Sequence, residues 1–365
     1  MKKNIMILNL GSHFGGTEKY IFNILENIDL TKYNFHICCR KSTKFNSELK
    51  KLNKQIKIFE LEFSKKSIVK SIKEIRKYII QNNIDIVHSN GISADLICNI
   101  SRIGMKNVKV LSTVHGFSSF DRMDRSRLER KIFETLETCL FRHSDYYIAV
   151  SNSLKNYLIE RGLDNNKVEV IYHGVNNLSS EVYKNRSENA ITIGSVGRLE
   201  KVKGYDILLK SVSLLKSKGH KIRCLLVGDG SEYNYLLNLS RELCIEDCVE
   251  FSGYKEDVYN YIDKMDIYIQ PSRQESFGIS ILEGMNKVKP VIASKVGGVG
   301  EIIENEKNGL LFMPLDYEEL ANKINYIIND KFICKKLANE GKKTIKDKFS
   351  MEIFTKQIEN IYQKI

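Results

Sequence analysis

Short runs of β-branched and aliphatic residues recur along the whole chain, each followed by a longer stretch whose apolar residues repeat at helical spacing. That alternation is the pattern of parallel sheets joined by crossover helices. In the first half it predicts strands at 4–10, 35–40, 56–60, 84–88, 109–113, 146–150 and 168–171. In the second half it predicts them at 191–196, 224–227, 249–251, 267–270, 290–293 and 309–312. Between the two series, residues 176–189 are polar, rich in Ser and Asn, and without periodicity. A chain of 365 residues also exceeds what one ordinary core holds. The expected fold class is therefore α/β, with two Rossmann-like doubly wound domains facing across a cleft. The first covers 1–176, a linker covers 177–189, and the second covers 190–345. Residues 346–365 form a C-terminal helical segment that can return to the first domain. Doubly wound sheets bind ligands beyond the carboxyl ends of their strands, so the loops after the strands are where chemistry is expected.

Several classes are excluded by composition. With 42% hydrophobic and 28% charged residues the chain is not a disordered one. No window approaches the roughly 18 to 20 apolar residues of a membrane span. Lys2 and Lys3 precede an apolar run at 5–8 that is too short for a signal peptide and runs into glycines, which predicts a buried first strand. Eight cysteines (Cys38, Cys39, Cys98, Cys139, Cys224, Cys244, Cys248 and Cys334) are scattered, without Cys-x-x-Cys pairs or histidines at ligand spacing. A zinc site or disulfide framework is not expected, and a reducing cytoplasm fits. Net charge is +12, and residues 1–180 alone hold 29 Lys+Arg against 18 Asp+Glu, leaving +1 for the rest. A basic first half either meets something anionic or is merely soluble. Nucleic acid is a poor partner, because no binding motif and no basic stripe interleaved with aromatics is present.

Three segments carry candidate chemistry. The first strand runs into Gly-Ser-His-Phe-Gly-Gly-Thr-Glu at 11–18, where glycines let a ligand approach the backbone and a helix start offers free N–H groups. A plain turn would look much the same. In the second half, Arg198 and Lys203 stand among glycines after a strand. A guanidinium and an ammonium there can neutralise a pyrophosphate, although a solvated basic loop has the same look. The third segment, 270–284, follows the strand at 267–270. It places Glu275 in a loop, with Phe277, Gly278 and Ile279 opening a helix that carries Glu283. Helix-start amides can receive phosphate, and the two carboxylates can bond hydroxyls of two different sugars.

These segments, together with Ser112-Thr-Val-His-Gly116, Val150-Ser-Asn-Ser153, 170–176, Leu226-Val-Gly-Asp-Gly230 and the Gly297-Gly298 turn with Glu301, resemble glycosyltransferase family 4 over nearly the whole chain. That is a family of retaining, nucleotide-sugar-dependent enzymes with the two-domain GT-B fold. The resemblance implies a hexosyltransferase-type glycosyltransferase in which Arg198 and Lys203 bind the donor pyrophosphate and Gly16 approaches the same phosphates. It further implies that Glu275 holds hydroxyls of the donor sugar, that amides of Phe277, Gly278 and Ile279 assist, and that Glu283 binds the ribose. His115 matches the family's histidine near the donor sugar. Two departures stand out: Gly300 replaces the usual Pro before Glu301, giving a looser turn, and His173 stands where many members have Asn.

The resemblance implies a transfer in which the leaving diphosphate takes the acceptor's proton, with no cofactor beyond the nucleotide-sugar substrate, a UDP-sugar ahead of a GDP-sugar. No metal is expected in the chemistry, since no paired aspartates close a strand. The acceptor is expected to be a glycan or a lipid-linked glycan in surface polysaccharide or glycoconjugate biosynthesis. The rival readings are another activity on the same fold, an epimerase or a phosphorylase, and a basic nucleic-acid-binding protein. Finally, Ile68, Ile72, Ile75 and Ile79 repeat at helical spacing, as do Lys66, Lys70, Lys73 and Lys77. The isoleucines can pack on the sheet while the lysines face an anionic membrane surface, or simply water. A cytoplasmic protein, peripheral on the inner face of the cell membrane, is the corresponding expectation.

Overall fold

The computed structural model describes residues 2–12, 15–52, 54–64, 67–117, 128, 143–177, 183 and 190–365. The expected linker lies almost wholly outside them, and so do Lys66 and Cys139. The described chain forms two compact units, one of 1–174 with 351–365 and one of 175–350.

The first unit is built on seven strands: β1 (Lys3–Asn9), β2 (Tyr33–Arg40), β3 (Ile56–Leu61), β4 (Ile86–Asn90), β5 (Lys109–Val114), β6 (Tyr146–Ala149) and β7 (Val168–Val170). All pair in parallel, in the order β3-β2-β1-β4-β5-β6-β7. The strand order reverses between β1 and β4, which makes the carboxyl ends of those two strands the switch point. β1 shows why such strands read as unbroken apolar runs. Ile5, Met6, Ile7 and Leu8 are all fully buried, but they feed two different cores. Ile5 and Ile7 pack with the helices Gly16–Asn27 and Met351–Lys364, whereas Met6 and Leu8 pack with Ile68–Gln81 and Ile92–Ser101. Helices cover both faces, so both faces of the strand are apolar.

β4 differs from its sequence expectation in a way that matters for the site. It runs two residues further than the apolar pattern, through Ser89 and Asn90, which pair with Ser112 and Thr113 of β5. Both are buried, and polar partners make that burial tolerable: the Ser89 hydroxyl bonds the Asp95 carboxylate, and so does the Ser112 hydroxyl, at 2.6 Å. Burial drives the Asp95 carboxyl up to about 7 in spite of these bonds.

The second unit repeats the plan with β8 (Ile191–Val196), β9 (Ile222–Val227), β10 (Val249–Phe251), β11 (Ile267–Gln270), β12 (Val291–Ser294) and β13 (Leu310–Phe312). They are parallel in the order β10-β9-β8-β11-β12-β13, so its switch point lies between β8 and β11. Ile193, Leu226, Ile267, Ile269, Ile292 and Phe312 join one core with the helices Tyr205–Ser217 and Tyr317–Asn329. Val175 and Ser350 form a parallel bridge, so the chain enters and leaves this unit at one place.

Candidate active site

At the switch point of the second sheet, the loop after β8 and the loop after β11 are tied together by backbone contact before any side chain is considered. Gly204 has φ of +68°, and a Cβ there would lie 2.1 Å from the Pro271 carbonyl oxygen, so only glycine permits this approach. The Arg273 amide donates to the Val202 carbonyl at 2.8 Å. On its far side the β11 loop is braced by the Gly297-Gly298 turn. Gly298 N–H donates to the Glu275 carbonyl at 3.1 Å, and a Cβ on Gly297, whose φ is +48°, would meet that same oxygen at 1.9 Å.

Two ion pairs complete the join. Arg273 grips Asp206 with both guanidinium arms at 2.7 Å, and Nη1 also donates to the Lys201 carbonyl at 3.0 Å. Burial works to raise the Asp206 carboxyl, but the Arg273 hydrogen bonds and charge outweigh it and hold it below the usual carboxylate range. This clamp carries Lys203 on one loop up to Glu275 on the other, Nζ to Oε2 at 2.7 Å. Oε2 also faces the Ser272 hydroxyl at 3.3 Å and the Gln270 amide nitrogen at 3.4 Å. Gln270 is oriented in turn, its oxygen accepting from Ser280 at 2.9 Å and from Tyr268 at 3.2 Å. Arg198, earlier on the β8 loop, is exposed.

Past Glu275 the chain turns into the helix Ile279–Asn286 through Gly278, whose φ is +111°. The first N–H groups of that helix have no intrahelical acceptor. Phe277 is buried against Phe349, ring centroids 5.7 Å apart, so its side chain belongs to the core. Glu283 is 6% exposed, which rules out a solvated surface acid. Burial, and after it the Glu283 charge, pushes the Tyr259 phenol up to about 12. Gly300 sits inside the one-turn helix Val299–Ile302, where a Cβ would meet nothing within 4 Å, so packing does not demand glycine there.

The first unit assembles its own set at the ends of β1, β4 and β5. Glu18 organises the glycine turn: Oε2 accepts from the Gly15 N–H and Oε1 from Asn9 Nδ2, both at 2.8 Å. Gly16 is the first residue of the helix that follows, and Tyr20 on that helix lies edge-on to His115, centroids 4.8 Å apart. Asn90 Nδ2 donates to the His88 carbonyl at 3.3 Å, which turns Oδ1 toward His115 Nε2 at 2.9 Å. Nε2 therefore carries the His115 proton, and Nδ1 has no hydrogen-bond partner among the described residues. His173 packs beside His115 on the same Tyr20 ring, centroids 5.2 Å from Tyr20 and 5.9 Å from His115. Burial, with smaller contributions from His173 and His88, holds His115 well below the ordinary imidazole range. Behind them His88, depressed to about 3 by burial, bonds Thr113 at 2.6 Å and Tyr362 at 2.7 Å.

The structure thus brings Lys203 and Glu275 together in one unit, while in the other Gly16 opens the helix whose Tyr20 packs on His115. Sequence reading missed Asn90, Gln270, Ser272, Asp206 and Arg273. The last two look like ordinary loop charges until their pairing across 67 residues is seen. Among the described residues no group of three or more His, Cys, Asp or Glu is placed to hold a metal ion, and no helix is long and apolar enough to cross a membrane. The seven described cysteines are free thiols.

Two Rossmann-like parallel sheets in series define the two-domain architecture of the GT-B class. In agreement, the chain superimposes on the crystal structure of HepE from Anabaena in complex with UDP-glucose with a TM-score of 0.84, covering 99% of this chain and 100% of that one at 21% identity. It is 29% identical over 360 residues to an uncharacterized glycosyltransferase of Methanocaldococcus jannaschii, covering 97% of this chain and 95% of the other. It is also 24% identical over 318 residues to an O-antigen biosynthesis glycosyltransferase of Escherichia coli, covering 84% and 86%. Residues 14–177 match the model described as Glycosyltransferase Family 4, and residues 180–344 match Glycosyl transferases group 1. The chain belongs to glycosyltransferase family 4 and is an enzyme of the glycosyltransferase class.

Proposed function

We propose that this enzyme moves a hexose-type sugar from a uridine diphosphate donor to a glycan or lipid-linked acceptor in surface polysaccharide or glycoconjugate biosynthesis, with retention and without a metal in the chemistry. The observation that carries this reading is the Lys203–Glu275 pair, with Arg198 on the same loop, at the switch point of the second sheet. Arg198 and Lys203 bind the diphosphate, aided by backbone amides at Phe277, Gly278 and Ile279. Glu275 holds hydroxyls of the donor sugar and Glu283 the ribose. Gly16 lets the backbone approach the phosphates, and His115 stands near the donor sugar.

In the transfer, the bond from the anomeric carbon to the diphosphate oxygen breaks and the acceptor oxygen bonds to that carbon on the same face. The acceptor's proton passes to the departing phosphate oxygen, so no protein nucleophile is needed. The protein's share is electrostatic: Arg198, Lys203 and the helix-start amides stabilise negative charge as it grows on the leaving group. Two relatives support the choice of donor and acceptor class, one named for O-antigen biosynthesis and one solved with UDP-glucose. The decisive experiment incubates the enzyme with UDP-sugars and mixed acceptors in excess chelator and reads the product's anomeric configuration by NMR. Transfer with the donor's configuration kept is expected. An inverted product, or activity restored only by a divalent ion, would overturn the mechanism.

The enzyme is further proposed to be cytoplasmic and peripheral at the membrane. On the helix Ile68–Gln81, Ile75 and Ile79 are buried while Lys70, Lys73 and Lys77 are exposed, and Val69 and Ile80 stand out beside them at 67% and 59% exposure. Cations flanked by exposed aliphatic side chains suit the headgroup region of an anionic leaflet.

A further inference from the structure

Lys203 and Glu275 occupy one another, with only 19% and 13% of their side chains exposed. To neutralise a diphosphate, the ammonium must leave this carboxylate or divide itself between the two. The loops need not move for that. They are pinned by the Arg273–Asp206 clamp and by the Gly204–Pro271 contact, so the exchange is a swing of the lysine side chain.

What remains around Glu275 after the swing decides which ligand gains. Among the described residues every contact to this carboxylate falls on Oε2, and the two that would stay, from Ser272 and Gln270, are long at 3.3 and 3.4 Å. Oε1 has no hydrogen bond from a described residue. A largely buried carboxylate that loses its cation carries an uncompensated desolvation cost, of the kind that makes breaking such pairs far more damaging than their net worth suggests. A nucleotide sugar supplies hydroxyl donors to Oε1 and Oε2 and offsets that cost. A nucleoside diphosphate without its sugar supplies none and brings more negative charge near the same carboxylate.

We propose that Glu275 discriminates between the loaded donor and its spent nucleoside diphosphate by competing with the phosphates for Lys203. The competition is relieved only when sugar hydroxyls arrive. Glu275 thereby favours donor over product at one site and hastens release of the diphosphate after transfer. The proposal rests on the assignment of Lys203 to the diphosphate made above, and goes beyond it by giving the carboxylate a role in selection as well as in holding the sugar. Specificity of this kind is a difference of two affinities produced by a repulsive element, with no new attractive contact required.

Titration calorimetry tests it on the full-length protein. UDP, GDP, ADP, CDP and dTDP are titrated first, followed by the glucose conjugate of whichever binds, into wild type, Glu275→Gln and Lys203→Gln. Thermal midpoints taken without ligand verify that each variant is folded. Glu275→Gln is expected to bind the bare diphosphate at least fivefold more tightly and to bind the sugar conjugate no better, so that wild-type preference for the conjugate collapses. Lys203→Gln is expected to weaken both by tenfold or more. Glu275→Ala serves as a second variant and must also tighten the bare diphosphate. If Lys203→Gln weakens the diphosphate while neither Glu275 variant tightens it, the selection role is wrong and the site assignment stands. If wild type binds no nucleoside diphosphate, or Lys203→Gln binds it equally well, the assignment fails and the proposal with it.

Discussion

At the scale of single residues, the first unit's histidines show how neighbours decide what a titratable group can do. An isolated imidazole titrates near 6.5, yet His88 and His173 are driven to about 3 and His115 well below its ordinary value, in each case chiefly by burial. The sign follows directly: the neutral form is favoured, so His115 stays uncharged as pH falls through 6.5 and remains a hydrogen-bonding group. Asn90 fixes which one, because its amide nitrogen is committed to the His88 carbonyl and its oxygen must face Nε2. Nitrogen-15 NMR of selectively labelled protein is therefore expected to show His115 as the Nε2–H tautomer from pH 7.5 to 5.5 without titration. A midpoint inside that range, or the opposite tautomer, would contradict the arrangement. Nothing in a lone Thr-Val-His sequence reveals this, since the restraint comes from a residue 25 positions earlier on the neighbouring strand.

Among the secondary elements, legibility divides along the same line between local and distant causes. Strands buried on both faces announce themselves as apolar runs, and β8, β10 and β11 fall on the residues expected for them. The polar end of β4 did not, because Ser89 and Asn90 pair with β1 and β5 through their backbones while their side chains find buried partners in Asp95 and His115. In the site, Arg198, Lys203 and Glu275 were visible as charges at strand ends, whereas the Arg273–Asp206 clamp that aligns them was invisible for want of any local pattern. The helix Ile68–Gln81 is the opposite case, since its periodicity alone separates the buried Ile75 and Ile79 from the exposed Lys70, Lys73 and Lys77, with Ile68 and Ile72 half-buried. A lysine near an anionic leaflet contributes on the order of 1 kcal/mol to the attraction. Changing Lys66, Lys70, Lys73 and Lys77 to Gln is expected to lower co-sedimentation with phosphatidylserine-containing vesicles by tenfold or more while leaving donor affinity unchanged. Wild-type protein that ignores such vesicles at low salt would remove the membrane proposal and leave the transferase standing.

For the whole molecule, the order of the chain and the order of its cores do not coincide. The second unit is continuous, 175–350, but the first is closed by the last helix, Met351–Lys364, which contributes Met351, Phe354, Ile358, Ile361 and Tyr362 to the core of the first sheet. Tyr20 is edge-on to Phe354 at 5.3 Å, and Tyr362 bonds His88, so this helix supports the same side chains that surround His115. Lys3 at the start of β1 also reaches the Tyr362 carbonyl at 2.9 Å, tying the first strand to that helix. Completion of the first unit consequently waits on residues that follow the whole second unit in the chain, and damage to the helix Met351–Lys364 must be felt far away in sequence. Truncating a buried phenylalanine to alanine typically costs about 3 to 5 kcal/mol through lost transfer energy and the cavity left behind. Phe354→Ala is therefore expected to speed amide hydrogen exchange in peptides from β1, β2, β4 and the helix Gly16–Asn27. Peptides from β8, β11 and the helix Ile279–Asn286 should keep wild-type protection. Mass spectrometry resolves the two groups in one experiment. Uniform loss of protection across both units would show that they unfold as one body, and unchanged exchange near Tyr20 would show that the last helix does not sustain the first core.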